Sequence, residues 1–485
     1  MPKDRIESAY RVRVEAAEKA RSRPHPDHKS NPDEQRYASA HYPMSFSKGL
    51  DHDDLGLVRE ASHFEAFRNC IDEGWAEPFT SRVPVPTMEG KHKFDRRKWE
   101  APTAGVVYDL EGPDAQAVTM QPAPELGSAE LAFEMAEVYE LAMLRDVSFD
   151  AFSAQGSGDA NMDGAVAGAA QTLSAMPYAD DYAGRPRKTN AAGDLDHQPA
   201  FRGSSPGVEV GPYLSQFMVM GNKTLDGAAE ADGMIGYGAQ AINQRVPVAE
   251  EHKDFMQIWE DWHRVQQGFD VNTPGKGKNN AKCSKGQIFD GRTRFICTPR
   301  DLATYVHFDA LYQAYLNATL ILLGHGAPFD PAFAKLSGMR AMFNPAKGPF
   351  ESVPQNAGGF ALYGGPHILT LVTEVATRAL KAVRFQKFNN HLRLRPEALA
   401  ARVHKAGEID QAYPSTCGAF GDFKDALGDT AHRIHTFNKD TCGADTHLLP
   451  MAFAEGSPMH PAYGAGHATV AGACTTIVKA CFDTG

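Results

Sequence analysis

The stretch His460-Pro-Ala-Tyr-Gly464-Ala465-Gly466-His467 runs directly into a segment whose apolar residues are Val470, Ala473, Cys474, Ile477, Val478 and Cys481. Their spacing of i, i+3, i+4, i+7, i+8 and i+11 marks one face of an α-helix. Gly464 and Gly466 sit just before it, where the backbone must turn sharply and a ligand can approach closely. The first N–H groups of a helix have no internal acceptor, and the dipole there favours negative charge. The glycine-flanked start is therefore a natural anion site. His467, on its lip, is placed to pass a proton to or from a bound species.

A second stretch supplies cations: Lys387-Phe-Asn-Asn-His391-Leu-Arg393-Leu-Arg395-Pro396. Upstream, Leu369, Val372, Ala376, Leu380 and Val383 form a helical stripe, and Lys387 takes its next i+4 step. A lysine on an apolar stripe points inward and must find a counter-charge. Pro396 biases Arg395 away from helical geometry. In one continuous helix Lys387 and Arg395 would stand ~12 Å apart along the axis; an end near His391 brings them closer.

Working outward, helices are expected over 54–72, 127–153, 299–324 and from Gly364-Gly365-Pro366 to Lys387, with Pro366 at the first helical position. Gly211 to Met220 reads as helical, Gly105–Tyr108 as a short strand, Val83–Val85 as at most an edge strand, and 271–286 as an exposed loop. Strands and helices do not alternate, which disfavours a parallel α/β sheet. The expected fold is all-α: a large helical bundle with long loops.

With 485 residues, 42% apolar and 22% charged, the chain has the composition of a soluble protein with a sizeable core. A net charge of −11 argues against nucleic acid as a partner, because phosphate backbones need basic surface. No apolar run is long enough to span a membrane. The N-terminus lacks the apolar core of a signal peptide, which points to the cytoplasm. The seven cysteines show no metal-knuckle spacing, and Cys474 and Cys481 read as small apolar residues on the helix face. Residues 1–42 are charged, Ala-rich and then polar, and read as an extended arm suited to a neighbouring subunit. Residues 43–485 form the helical domain.

Lys387, then Arg395-Pro396, then Gly-x-Gly-His opening a helix resembles the vanadium-dependent haloperoxidases, the red algal and cyanobacterial bromoperoxidase branch above all. Gly364-Gly-Pro-His-Ile-Leu and Leu448-Leu-Pro-Met-Ala-Phe-Ala-Glu-Gly-Ser-Pro-Met-His460 strengthen the likeness. It covers about 345–482, with weaker likeness at 207–220 and 299–330. The resemblance implies an all-α fold shared with a class of acid phosphatases, vanadate as cofactor, hydrogen peroxide as oxidant, a halide (bromide favoured) as substrate, and small organic molecules as halogen acceptors. It implies that Lys387 polarises bound peroxide, Arg395 neutralises vanadate oxygens and Gly466 donates its N–H. His467 would be the acid/base and His460 the second pocket histidine. It also implies a homo-oligomer, a dodecamer in the red algal type.

Two departures stand out. Ala465 occupies the place of the family serine, losing a neutral-to-charged hydrogen bond worth ~1.5–3 kcal/mol. The family's third motif, with a second arginine and the histidine that bonds vanadium, is not found by Gly485. The expectation is a C-terminally incomplete domain, inactive alone, with the direct vanadium ligand beyond Gly485 and no metal ligand within the chain. Two alternatives stand beside it: a phosphatase on the same scaffold, and a helical assembly protein that has lost catalysis. Arg393 reads as a surface or salt-bridge residue and His391 as packing. His432 and His435 share a helix face, but no further ligands complete a zinc set.

Overall fold

Gly364 and Pro366 open the helix Gly365–Phe385, the longest in the described chain. Proline is tolerated there because the first N–H groups lack intrahelical acceptors. The inward face carries Ile368, Val372, Ala376, Ala379 and Val383, all buried, with Leu369 and Leu380 half-buried. This face packs on Val470, Cys474 and Cys481 of the C-terminal helix Gly466–Cys481, and Phe329 and Phe482 fill one end. Each fully buried Val or Ile contributes roughly 1.5–3 kcal/mol. The two stripes expected from spacing thus find each other.

The structure, a computed structural model, describes residues 2–87, 96–109, 113–153, 155–177, 201, 214–222, 232–271, 289–337 and 359–484. Its largest core gathers the helices Ala129–Met143, Pro396–His404 and Asp429–Cys442 around Phe255, Trp262 and Phe420. A second cluster packs Phe64, Phe67, Cys70 and Ile71 of the helix Ala61–Glu73 against Phe388 and Leu392. Leu394 belongs to the first cluster. The segment between Lys387 and Arg395 is therefore pinned between two cores, which fixes where its charged residues point.

The only strands among the described residues form two antiparallel pairs, Met234–Tyr237 with Gln240–Asn243 and Val246–Ala249 with Phe289–Arg294. The fold is all-α, as expected. No described helix is long and apolar enough to cross a membrane.

Several local expectations change. The helix expected over 54–72 begins at Ala61. That expected over 127–153 ends at Met143, followed by a separate turn Phe149–Phe152 capped by Ser148. Arg145 and Asp146 are drawn sideways there into ion pairs with Asp254 and Arg300, a tertiary pull that local propensity does not contain. The helix over 299–324 is two, Pro299–Phe308 and Gln313–Gly324, broken at Asp309. Gly105 lies in a turn, Ala104–Val106, not a strand; a side chain there would collide with the Phe385 backbone. Between Gly211 and Met220 only the turn Gln216–Met218 is helical, residues 211–213 lying outside the described chain. Residues 272–286 of the expected loop lie outside it too. The arm is not extended throughout: Pro2–Arg21 is a helix, followed by a strap tied down by His25 to Asp114 and by Asn31 to Ala123 O.

Candidate active site

After Phe385 the helix widens into a π turn, Gln386–His391, and stops at Leu392 in the left-handed region (φ 39°). Such widened turns recur at functional sites. The helix thus ends at the expected place. Beyond it the Phe46 N–H donates to Leu392 O (2.7 Å), and the Leu394 N–H to Met44 O (3.2 Å). The Ala462 N–H donates to Arg393 O (3.1 Å). Lys387 is 1% exposed, and its Nζ donates to Pro461 O (2.9 Å) and Ala462 O (3.0 Å). Residues 461–462 are therefore held between Lys387 and the Arg393 backbone. Arg395 emerges beside them, its Nη1 donating to His460 O (3.3 Å) and lying 3.4 Å from His460 Nδ1.

The charge around Lys387 is lopsided. Arg384, one turn earlier, is buried, with Nη2 3.3 Å from Glu100 Oε2. Its Nε and Nη1 are buried without a hydrogen-bond partner. Burial, then Arg395 and Arg384, push the Lys387 ammonium down to about 6, against the pull of Glu100. Burial lowers Arg395 and Arg384 as well. Burial and these three cations hold His460 far below the ordinary histidine range, so its imidazole is neutral. His460 Nδ1 lies 2.9 Å from Pro461 O, the better acceptor, which leaves Nε2 as the ring's acceptor. Glu100 Oε2 is 3.8 Å from that Nε2. Orphaned donors on a buried guanidinium are rare in finished structures, and a buried unpaired charge is costly. A bound anion would satisfy both, so the residues fit an oxyanion.

The glycine stretch closes another side. A Cβ on Gly464 would meet Met120 Cε at 3.0 Å and Val383 Cγ2 at 3.5 Å; one on Gly466 would lie 4.0 Å from Leu380 Cδ1. Both glycines thus lie along the face leading to Lys387. The helix starts at Gly466, and Ala465 gives it no side-chain cap, which leaves its first N–H groups without a capping oxygen. His467 Nε2 donates to Asp309, 3.1 Å from Oδ1 and 3.2 Å from Oδ2. Asp309 is 5% exposed at the side chain, and His467 44%. The carboxylate orients the imidazole. No described hydrogen bond joins His467 to Lys387, Arg395 or His460, whereas those three are linked through residues 460–462.

Arg384, Glu100 and Asp309 escape a reading of the sequence. Arg384 lies three residues before Lys387, so its helical register was available; Glu100 and Asp309 have no local signal. Arg393 is not a surface residue: it is buried and its Nη1 donates to Pro124 O. His391 packs edge-on against Tyr463, ring centroids 4.9 Å apart, and burial pushes it down to about 4. Among the described residues no cluster of His, Cys, Asp or Glu could hold a metal ion, His432 and His435 included.

No family model matches the sequence. The chain is 37% identical over 532 aligned positions to a vanadium-dependent bromoperoxidase of Corallina pilulifera, across 99% of this chain and 83% of that one. It is 30% identical over 448 positions to one of Ascophyllum nodosum, across 90% and 68%. Among solved structures, a homohexameric vanadate-dependent bromoperoxidase of Ascophyllum nodosum matches with a TM-score of 0.71 and 25% identity, across 99% of this chain and 69% of that one.

Proposed function

The chain belongs to the vanadium-dependent bromoperoxidases, and on that premise we propose that it oxidises bromide with hydrogen peroxide to hypobromous acid, which halogenates small organic molecules. The observation that carries this is the group of three basic side chains, the buried Lys387 and Arg384 and the half-buried Arg395, with donors on Arg384 left without partners. Bound vanadate supplies a Lewis-acid centre for peroxide. Lys387, Arg395 and the Gly466 N–H would hold its oxygens. His460 accepts a hydrogen bond at Nε2, and its neutrality keeps the pocket from gathering a fourth charge. His467, held by Asp309, takes and returns the proton of incoming peroxide.

The residues that support a phosphatase would be the same, and no feature of the site favours that reading. The test is a peroxide-dependent dye bromination assay, with and without added vanadate, on dialysed protein that includes the third motif the resemblance implies. Bromination that needs vanadate is expected; hydrolysis of a phosphate monoester with no bromination would remove the proposal. A similar protein of known structure is a homohexamer, which supports a homo-oligomer here too. A dodecamer is the finer proposal. The helix Pro2–Arg21, with Ile6, Tyr10 and Val12 more than half exposed, is its proposed inter-subunit element.

A further inference from the structure

Behind Arg395, away from His460, lies a buried charge cluster that none of the steps above uses. Glu397 is 1% exposed. Its Oε1 accepts from Lys48 Nζ (3.3 Å) and from Ser457 Oγ. Lys48 is likewise 1% exposed. It donates besides to Ser457 O (2.7 Å), Glu455 O (3.2 Å) and Ser457 Oγ (3.3 Å). Trp262 Nε1 donates to the Glu397 carbonyl (2.8 Å) and fixes the backbone. One half of the carboxylate is thus fully engaged.

The other half is not. Glu397 Oε2 is buried with no hydrogen-bond partner, and so is Arg395 Nε; the two face each other at 3.9 Å. A charge-assisted bond between such groups closes at about 2.7–2.9 Å, so each orphan is the other's nearest remedy. Pro396 between them fixes one backbone torsion and helps keep the two side chains on the same side. A lone carboxylate here would cancel the charge that Arg395 brings to an anion. Lys48 prevents this: cation, carboxylate and guanidinium in a row leave one net positive charge.

We propose that Glu397 is a positioning residue for Arg395, aiming its guanidinium edge at the oxyanion, and that Lys48 is the cation that lets it do so without neutralising the site. This rests on the oxyanion site described above. Ser457 and Lys48 fix the carboxylate from behind; Arg395 Nε docks on Oε2; Nη1 reaches the His460 carbonyl, and Nη2 is left for the anion. The same contacts anchor residues 455–457, a few residues before His460, so the guanidinium and that loop share one support.

The test uses the charge-conserving pair Lys48→Met with Glu397→Gln, which removes one charge of each sign and leaves the net charge of the pocket unchanged. Replacing a buried ion pair by neutral side chains of similar volume is commonly tolerated, and melting temperature checks that the fold is kept. Phosphate binding to the full chain without vanadate is measured by calorimetry at fixed pH. We expect the double variant to bind about 10- to 100-fold more weakly, the usual effect of losing an outer orienting partner. In an Arg395→Lys background, where no guanidinium edge is left to aim, the same pair of substitutions should change affinity less than about twofold. Parental affinity in the double variant, or equal weakening in both backgrounds, overturns the positioning role. Should Arg395→Lys itself bind phosphate like the parent, the oxyanion site falls, and this inference with it.

Discussion

Anion binding should be coupled to the protonation of Lys387, and the coupling can be worked from its surroundings. Burial with Arg395 and Arg384 nearby pushes the Lys387 ammonium down to about 6 from an ordinary 10.5. Above pH 6, before an anion binds, Lys387 is therefore largely neutral. An anion restores its charge: two unit charges about 4 Å apart attract by about 4 kcal/mol at an effective dielectric near 20. At about 1.4 kcal/mol per pH unit, that lifts the lysine by about three, to roughly 9. The sign follows. Binding takes up one proton between pH 6 and 9, so affinity falls about tenfold per pH unit there, about a thousandfold in all, and is level below pH 6. Sulfate, which does not titrate in this range, is the probe, followed by calorimetry in buffers of different ionisation enthalpy to count the proton. Lys387→Met should weaken binding at pH 6 and abolish the slope. A flat affinity between pH 6 and 9, or a slope that survives Lys387→Met, would refute the reasoning.

Four further perturbations have expected outcomes. In protein that includes the third motif the resemblance implies, His467→Ala should lower bromide oxidation by about a hundred- to ten-thousand-fold while vanadate still binds, and Asp309→Asn by about 10- to 100-fold; steady-state kinetics beside vanadate titration separates the two steps. Phe388→Ala, at a residue with no exposed surface in the cluster with Phe46 and Phe67, should cost about 3–5 kcal/mol of stability by denaturant unfolding. Because it loosens the turn carrying Lys387, sulfate affinity should fall with it. Deleting the first 21 residues should leave the fold intact, since Ala20 is the only buried side chain described on that helix; light scattering should then report smaller particles, and an unchanged particle mass would remove its inter-subunit role.

Apolar periodicity along the chain already marks the two helices that build the frame. A period of 3.6 is a local property, so the stripes ending in Lys387 and starting after His467 are legible without any partner, and each proved to be the other's packing surface. The stop near His391, and the glycines before Gly466, are likewise statements about the residues' own backbone preferences. Tertiary structure alone decided which charges answer one another. Arg384 meets Glu100 across 284 positions, His467 meets Asp309 across 158, and Lys48 meets Glu397 across 349. Nothing local marks Asp309, because the break in the helix that presents it has no glycine or proline to announce it. The same holds for Arg393, which alternates with Arg395 and looks solvent-facing until the segment is pinned between two cores. A buried charge is tolerable only beside its partner, and the partner is set by how the chain folds back, not by spacing along it.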